Sequence, residues 1–382
     1  MPVADPVDPV GRDPRALGDD LLASPARCPV VHTSGGEVLV TGHTEVVEVA
    51  TDPRRYSSRA STHLQLPNGL DGADHARYRG LVDAYLAPGV VEKHAADFHR
   101  IARAVIGEHD LGGTVDAVQG PGISFAVRAM TAWLGWPGDL EPRLIAWVRE
   151  NVAATRSGDR DRTAAVAADF DDIIAGVIEP RMADPTAFDD VTARLVHDTS
   201  LGRPLEPAEI VSVLRNWTGG DLSSMALCIG VVVAALAADE ALQDRLRRGV
   251  SEAEFTAVID ELLRLDDPFV SNRRVTTCPV TLGGVEVPAG QRVRIHWTAA
   301  NRDPEAFGTP DAFDPDANAG HNLVWGIGPH ACPGRPLSML ELRAFVTELL
   351  AAATVRPSSE AGVRATHPIN GWISRPVVLE PR

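Results

Sequence analysis

Cys332 stands in the run Trp325-Gly326-Ile327-Gly328-Pro329-His330-Ala331-Cys332-Pro333-Gly334, just before a helical pattern that begins Leu337-Ser338-Met339-Leu340-Glu341. Glycines at 326, 328 and 334 permit backbone turns that a Cβ hinders, so the spacing predicts a tight loop that presents a sulfur. A helix N-terminus and its peptide N–H groups favour thiolate over thiol. A thiolate is a strong iron ligand. The competing reading is a small buried apolar side chain in a turn, and the rest of the chain must decide between them.

Other residues with chemical potential lie upstream. His75 and Arg79 stand four apart and share one face of a helix, either as a solvated basic face or as partners for an anion. A long helical pattern from Ile210 to Ala238 is interrupted at Trp217-Thr218-Gly219-Gly220-Asp221-Leu222-Ser223-Ser224. Two mid-helix glycines cost about 1 kcal/mol each relative to alanine, which predicts close approach by another group there. Glu261-Leu262-Leu263-Arg264 has the spacing of a helix ion pair, and the adjacent Arg273 and Arg274 open a strand pattern.

In this order the segments resemble the cytochrome P-450 family, from roughly residue 28 to residue 380. The resemblance implies that Cys332 is the axial ligand of haem iron, with Trp325 replacing the usual phenylalanine beside the haem. Electron donation from such a thiolate favours O–O cleavage. It further implies that His75, Arg79, Arg274 and His330 meet the haem propionates, the Arg273/Arg274 choice remaining open by one residue. Gly219 falls in the distal haem pattern, and Asp221 keeps that pattern's acid. Leu222 occupies the place of the family's oxygen-handling threonine, while Ser223 and Ser224 carry the nearest hydroxyls. The Glu-x-x-Arg of the family is Glu261 with Arg264. The arginine that usually completes this network is absent after Phe313-Asp314-Pro315, so another cation or a rearranged loop is expected. The loop from Tyr56 to Leu70, with His63, would cover the substrate, and the hairpin around Trp372 would touch it. Arg335 and Arg343 would form a cationic patch for an electron donor.

The 382 residues include 52 acidic and 36 basic ones, a net charge of -16, which argues against nucleic-acid binding because phosphate neutralisation needs a basic face. Cys28, Cys228, Cys278 and Cys332 are far apart and suggest neither a zinc site nor a disulfide framework. The N-terminus lacks the pattern of a signal peptide, and the most apolar run, Met225 to Ala238, is too short to span a bilayer, so a soluble cytoplasmic protein without membrane partners is expected. The expected architecture is one mainly α domain over residues 1–382, with an N-terminal arm to residue 28, a long central distal helix and small β-sheets. Haem b would lie between that helix and the Cys332 loop. The implied activity is that of a monooxygenase acting on a small organic substrate with O2 and electrons from ferredoxin and ferredoxin reductase. Leu222 raises a peroxide-driven or non-oxygenating haem-thiolate enzyme as an alternative, and a haem-binding sensor is a further one.

Overall fold

A computed structural model describes residues 6–23 and 28–382. The expected helix in the N-terminal arm is present as Pro14–Ala23; the remainder of that arm at 1–5 and 24–27 lies outside the described residues.

The central helix, Pro207–Ala238, organises the core. It starts on a reciprocal cap: Glu206 accepts from the backbone of Glu209, and the Glu209 carboxylate accepts from the Glu206 N–H at 2.7 Å. Pro207, already helical in φ and without an N–H to leave unpaired, follows at the first position. The helix stops at Asp239, whose extended backbone breaks the pattern and whose carboxylate caps the next helix, Glu240–Arg247, through the Leu242 N–H. The expected interruption at 217–224 does not occur: the helix is continuous. Trp217 packs on Trp133 and Tyr85 at centroid distances of 5.2 and 5.4 Å, which pins the helix just before the glycines. By length and composition this helix could cross a membrane, contrary to the expectation from Met225–Ala238 alone. However, 72% of its most apolar window is buried by packing.

Helices Ala95–Gly107, Ile123–Leu134 and Arg335–Ala352 surround the lower part of the central helix, sharing one apolar core. Glu141–Ser157 and Arg160–Ala183 lie across it as an antiparallel pair. They are joined at Gly158, whose φ of 69° suits glycine, and Asp159 caps the second helix. Stacking of Trp147 on Phe170, with centroids 4.0 Å apart, fastens the pair.

A five-stranded sheet runs in spatial order Val30–His32, Val38–Val40, Arg292–His296, Ser271–Thr276 and Tyr56–Ser57. Its first two strands form the expected hairpin, and Val38–Val40 runs parallel to Arg292–His296. A three-stranded sheet joins Thr114–Asp116, Pro376–Pro381 and Ala353–Pro357, and two hairpins complete the β structure. The mainly α architecture with small sheets therefore holds, and the strand pattern at Arg273 and Arg274 is present as Ser271–Thr276.

Candidate cofactor and active site

The cysteine loop is built by its own backbone. Cys332 N–H donates to the Trp325 carbonyl at 2.7 Å and Ala331 N–H to Gly328 at 3.1 Å, closing the turn. Gly326 and Gly328 adopt φ of 67° and 76°, and a Cβ on Gly328 would lie 3.0 Å from the Ala50 carbonyl oxygen, so this loop packs on the helix His43–Thr51. Cys332 is accessible, and the N–H groups of Gly334 and Arg335, at the start of the helix Arg335–Ala352, donate towards its sulfur. Their effect is smaller than expected. The crowding around the sulfur raises the thiol above its ordinary value, against the lowering by these donors and by Arg79. Without a metal, the loop does not by itself hold a thiolate.

Arg79, on the helix Gly72–Leu86, braces this loop: its Nη1 donates to the carbonyls of Pro329 at 3.0 Å and Ala331 at 2.6 Å, while Nε pairs with Asp83 at 2.6 Å. It differs from the expected free cation. One turn earlier, His75 is buried with its ring 4.1 Å from that of His330. His330 Nε2 lies 2.9 Å from Ser58 Oγ. Arg274 is buried, whereas Arg273 points outward to Glu37, so strand alternation answers the one-residue ambiguity in favour of Arg274. Among the described residues Arg274 donates only to the Arg273 carbonyl. Burial lowers the pKa of both histidines, that of His330 to about 3, with the Arg274 charge contributing there and the Arg79 charge contributing at His75. Both imidazoles are thus neutral donors in the chain alone. His75 Nε2 is buried without a hydrogen-bond partner. Two neutral imidazoles and a buried guanidinium lacking a carboxylate partner fit an anionic group.

Glu261 and Arg264 form the expected pair, fully buried, with Arg264 Nε 2.7 Å and Nη2 2.8 Å from the carboxylate. Among the described residues no further cation completes it. Instead Asn318 Nδ2 donates to Glu261 Oε1 at 2.7 Å, joined by the Asp314 N–H at 3.0 Å, and Arg264 satisfies its remaining donors on the carbonyls of Asn301, Pro310 and Ala312. A neutral amide can take this place because backbone carbonyls already serve the guanidinium.

On the central helix, a Cβ built on Gly219 or Gly220 meets no atom within 4 Å. The close approach anticipated there is therefore not made by another part of the chain, and the glycines leave room for a bound group. Asp221 and Leu222 are buried. Asp221 stands beside Glu341 of the cysteine helix, their buried carboxyl oxygens Asp221 Oδ2, Glu341 Oε1 and Glu341 Oε2 lacking hydrogen-bond partners among the described residues, and burial pushes Asp221 up to about 7 and Glu341 well above the usual carboxylate range. Ser223 faces elsewhere, towards the helix Glu141–Ser157, where Asn151 Nδ2 approaches its Oγ at 3.5 Å. Residues two apart on a helix differ by about 200°, so Asp221 and Ser223 do not form one relay; Ser224 is half-buried and has no hydrogen bond to Asp221 among those described. The sequence reading missed Glu341. Its signal was a carboxylate four residues after Leu337 and four before Phe345, on the apolar face of a helix.

Around the edges, Trp325 Nε1 and Arg335 Nη2 both donate to Asp260, each at 2.6 Å, and Arg343 donates to the Val250 carbonyl while stacking over Phe255. The cationic patch expected from Arg335 and Arg343 is thus partly neutralised. His63 is exposed. Trp372 is held between Arg364 and Arg375, and its neighbour Ile373 lines a pocket with Ser223.

This constellation agrees with what the chain is similar to. The cytochrome P-450 family model matches residues 255–375. A putative cytochrome P-450 126 of Mycobacterium tuberculosis is 30% identical over 357 residues, covering 84% of this chain and 82% of the relative. The erythromycin C-12 hydroxylase of Saccharopolyspora erythraea is 26% identical, covering 89% and 87% of the two chains. Among solved structures, a mutant of P-450 EryK in complex with erythromycin B has the same fold, with a TM-score of 0.87 at 24% identity over 97% of this chain and 98% of that one. Beside this hydroxylase, further relatives are named as an epoxidase and a monooxygenase, and the chain belongs to the cytochrome P-450 family of haem-iron oxidoreductases.

Proposed function

We propose that this protein is a haem-thiolate monooxygenase that hydroxylates or dealkylates a small organic substrate with O2 and two electrons from a ferredoxin and its reductase. The reading is carried by one conjunction: an accessible Cys332, open space at Gly219 and Gly220, and the His75, His330 and Arg274 cluster. Haem b, when bound, supplies O2 reduction and transfer of one oxygen atom to the substrate. Cys332 would hold the iron, and coordination would favour the thiolate over the thiol form that crowding otherwise favours. His75, His330 and Arg274 receive the two propionates, whose charge raises the depressed imidazoles back towards their ordinary range. Arg79 holds the loop carbonyls rather than an anion.

Asp221 and Glu341 together hold at least one proton near neutral pH, beside the open space at the glycines. They replace the acid-and-threonine arrangement of the family as the proton store. The buried Leu222 offers no hydroxyl and excludes water, and this favours a second reading in which hydrogen peroxide is the oxidant. Product formed with reduced ferredoxin, and diminished in Asp221→Asn, supports the monooxygenase. Turnover only with added peroxide, unaffected by Asp221→Asn, supports the second reading. Ligand binding without turnover under either regime would instead leave a haem-binding sensor.

A further inference from the structure

A cavity of about 190 Å³ lies between the helix Glu141–Ser157, the central helix and the strand Trp372–Ser374. Val148, Val152, Leu227 and Ile373 supply apolar walls, and Gln119 and Ser223 supply polar atoms. Its only charged lining residues are Arg149 and Arg156. That is unusual placement in a chain with 52 acidic and 36 basic residues. Neither arginine is in an ion pair among the described residues; Arg149 Nη2 donates to the Gln119 carbonyl at 3.1 Å.

Arg156 Nε is shielded from solvent and has no hydrogen-bond partner. An unpaired buried donor on a charged group is costly, the more so next to apolar walls. Arg149 and Arg156 are seven apart, so they project from the same helix face about 10 Å apart along the axis. Gln119 Nε2 is occupied by the Ile373 carbonyl at 2.7 Å. It does not compete for a ligand acceptor.

We propose that this cavity binds a small apolar monocarboxylate, its carboxylate on Arg156 and its body against Val148, Val152, Leu227 and Ile373. Arg156 makes the charge-assisted hydrogen bond that its Nε lacks, and Arg149 adds attraction from the rim. The size admits a single ring or a short chain and not a macrocycle. The site is distinct from the one proposed around Cys332 and Gly219, and its binding preference stands independently of the monooxygenase reading.

Calorimetric titration of the haem-loaded protein with 4-phenylbutanoate and with neutral 4-phenylbutanamide tests it. The acid is expected to bind roughly 10- to 100-fold more tightly, the range for a hydrogen bond to a charged group. Arg156→Gln should reduce acid binding to the level of the amide, Arg156→Lys should keep part of the preference, and Arg149→Gln should weaken it less. Equal binding of acid and amide by the native protein, or an unchanged preference in Arg156→Gln, overturns the proposal. Failure of the monooxygenase reading is distinguishable, since it removes product formation and leaves this binding preference in place.

Discussion

Asp221 and Glu341 lie side by side in the interior, across the contact between the central helix and the cysteine helix, with Asp221 Oδ2 and both Glu341 carboxyl oxygens buried without a hydrogen-bond partner and no cation among the described residues acting on either. Burial and the neighbouring Asp221 charge favour the protonated form of Glu341. Two carboxyl groups in one dry site cannot both ionise cheaply.

The pair makes stability depend on pH. Both folded pKa values are raised, Asp221 to about 7 and Glu341 well above its ordinary value, so the folded chain keeps protons that the unfolded chain has released. The stabilising contribution is therefore complete below the unfolded values near pH 4 and is lost as pH rises through the folded ones. Each retained proton corresponds to about 1.4 kcal/mol per pH unit. Urea unfolding of the haem-loaded protein at pH 5 and pH 8 should show a steeper loss for the native chain than for Glu341→Gln, the variant being the more stable at pH 8. Parallel pH profiles would contradict the shared proton.

Asn318 should matter for stability although it is 57 residues from Glu261 in sequence. Its Nδ2 is the side-chain donor that joins Arg264 on Glu261. Removing one partner of a buried hydrogen bond to a charged group costs about 1–3 kcal/mol, and Asn318→Leu is expected to lose that much in denaturant unfolding. Arg264→Met strands the Glu261 carboxylate and should lose about 3–5 kcal/mol. A neutral Asn318→Leu would mean that the Asp314 N–H suffices.

Cofactor retention should separate the cluster residues by role. His75→Ala with Arg274→Gln removes two groups facing the proposed propionates and should release haem to apomyoglobin several-fold faster. Arg79→Ala should chiefly loosen the cysteine loop, seen as faster hydrogen exchange at Ala331 and Cys332, because its guanidinium is engaged with loop carbonyls. Unchanged release from the double variant would remove these residues from the anchoring set.

The cysteine loop was legible in the sequence because each glycine answers a local backbone demand: positive φ at 326 and 328, and a helix start at 334. The helix around Glu261 and Arg264 and the hairpin at 30–40 were legible for similar local reasons. Continuity of the central helix was not, because Trp217 obtains its aromatic neighbours from helices distant in sequence, overriding the glycine cost. Glu341 was hidden for the same reason: a carboxylate on an apolar helix face becomes meaningful only when Asp221 is brought against it. The substitution of Asn318 for a cation could be read only once the carbonyls of Asn301, Pro310 and Ala312 were seen to serve Arg264.

The most direct test of the central assignment is the absorption spectrum of the reduced protein with carbon monoxide, taken for the native chain and for Cys332→Ser. The native chain should give the strongly red-shifted Soret band of thiolate ligation, and Cys332→Ser should lose it while keeping its far-ultraviolet helical signal. Cys28→Ser, Cys228→Ser and Cys278→Ser should each retain the band. A native spectrum without it, or its persistence in Cys332→Ser, would contradict the assignment of Cys332 as the iron ligand.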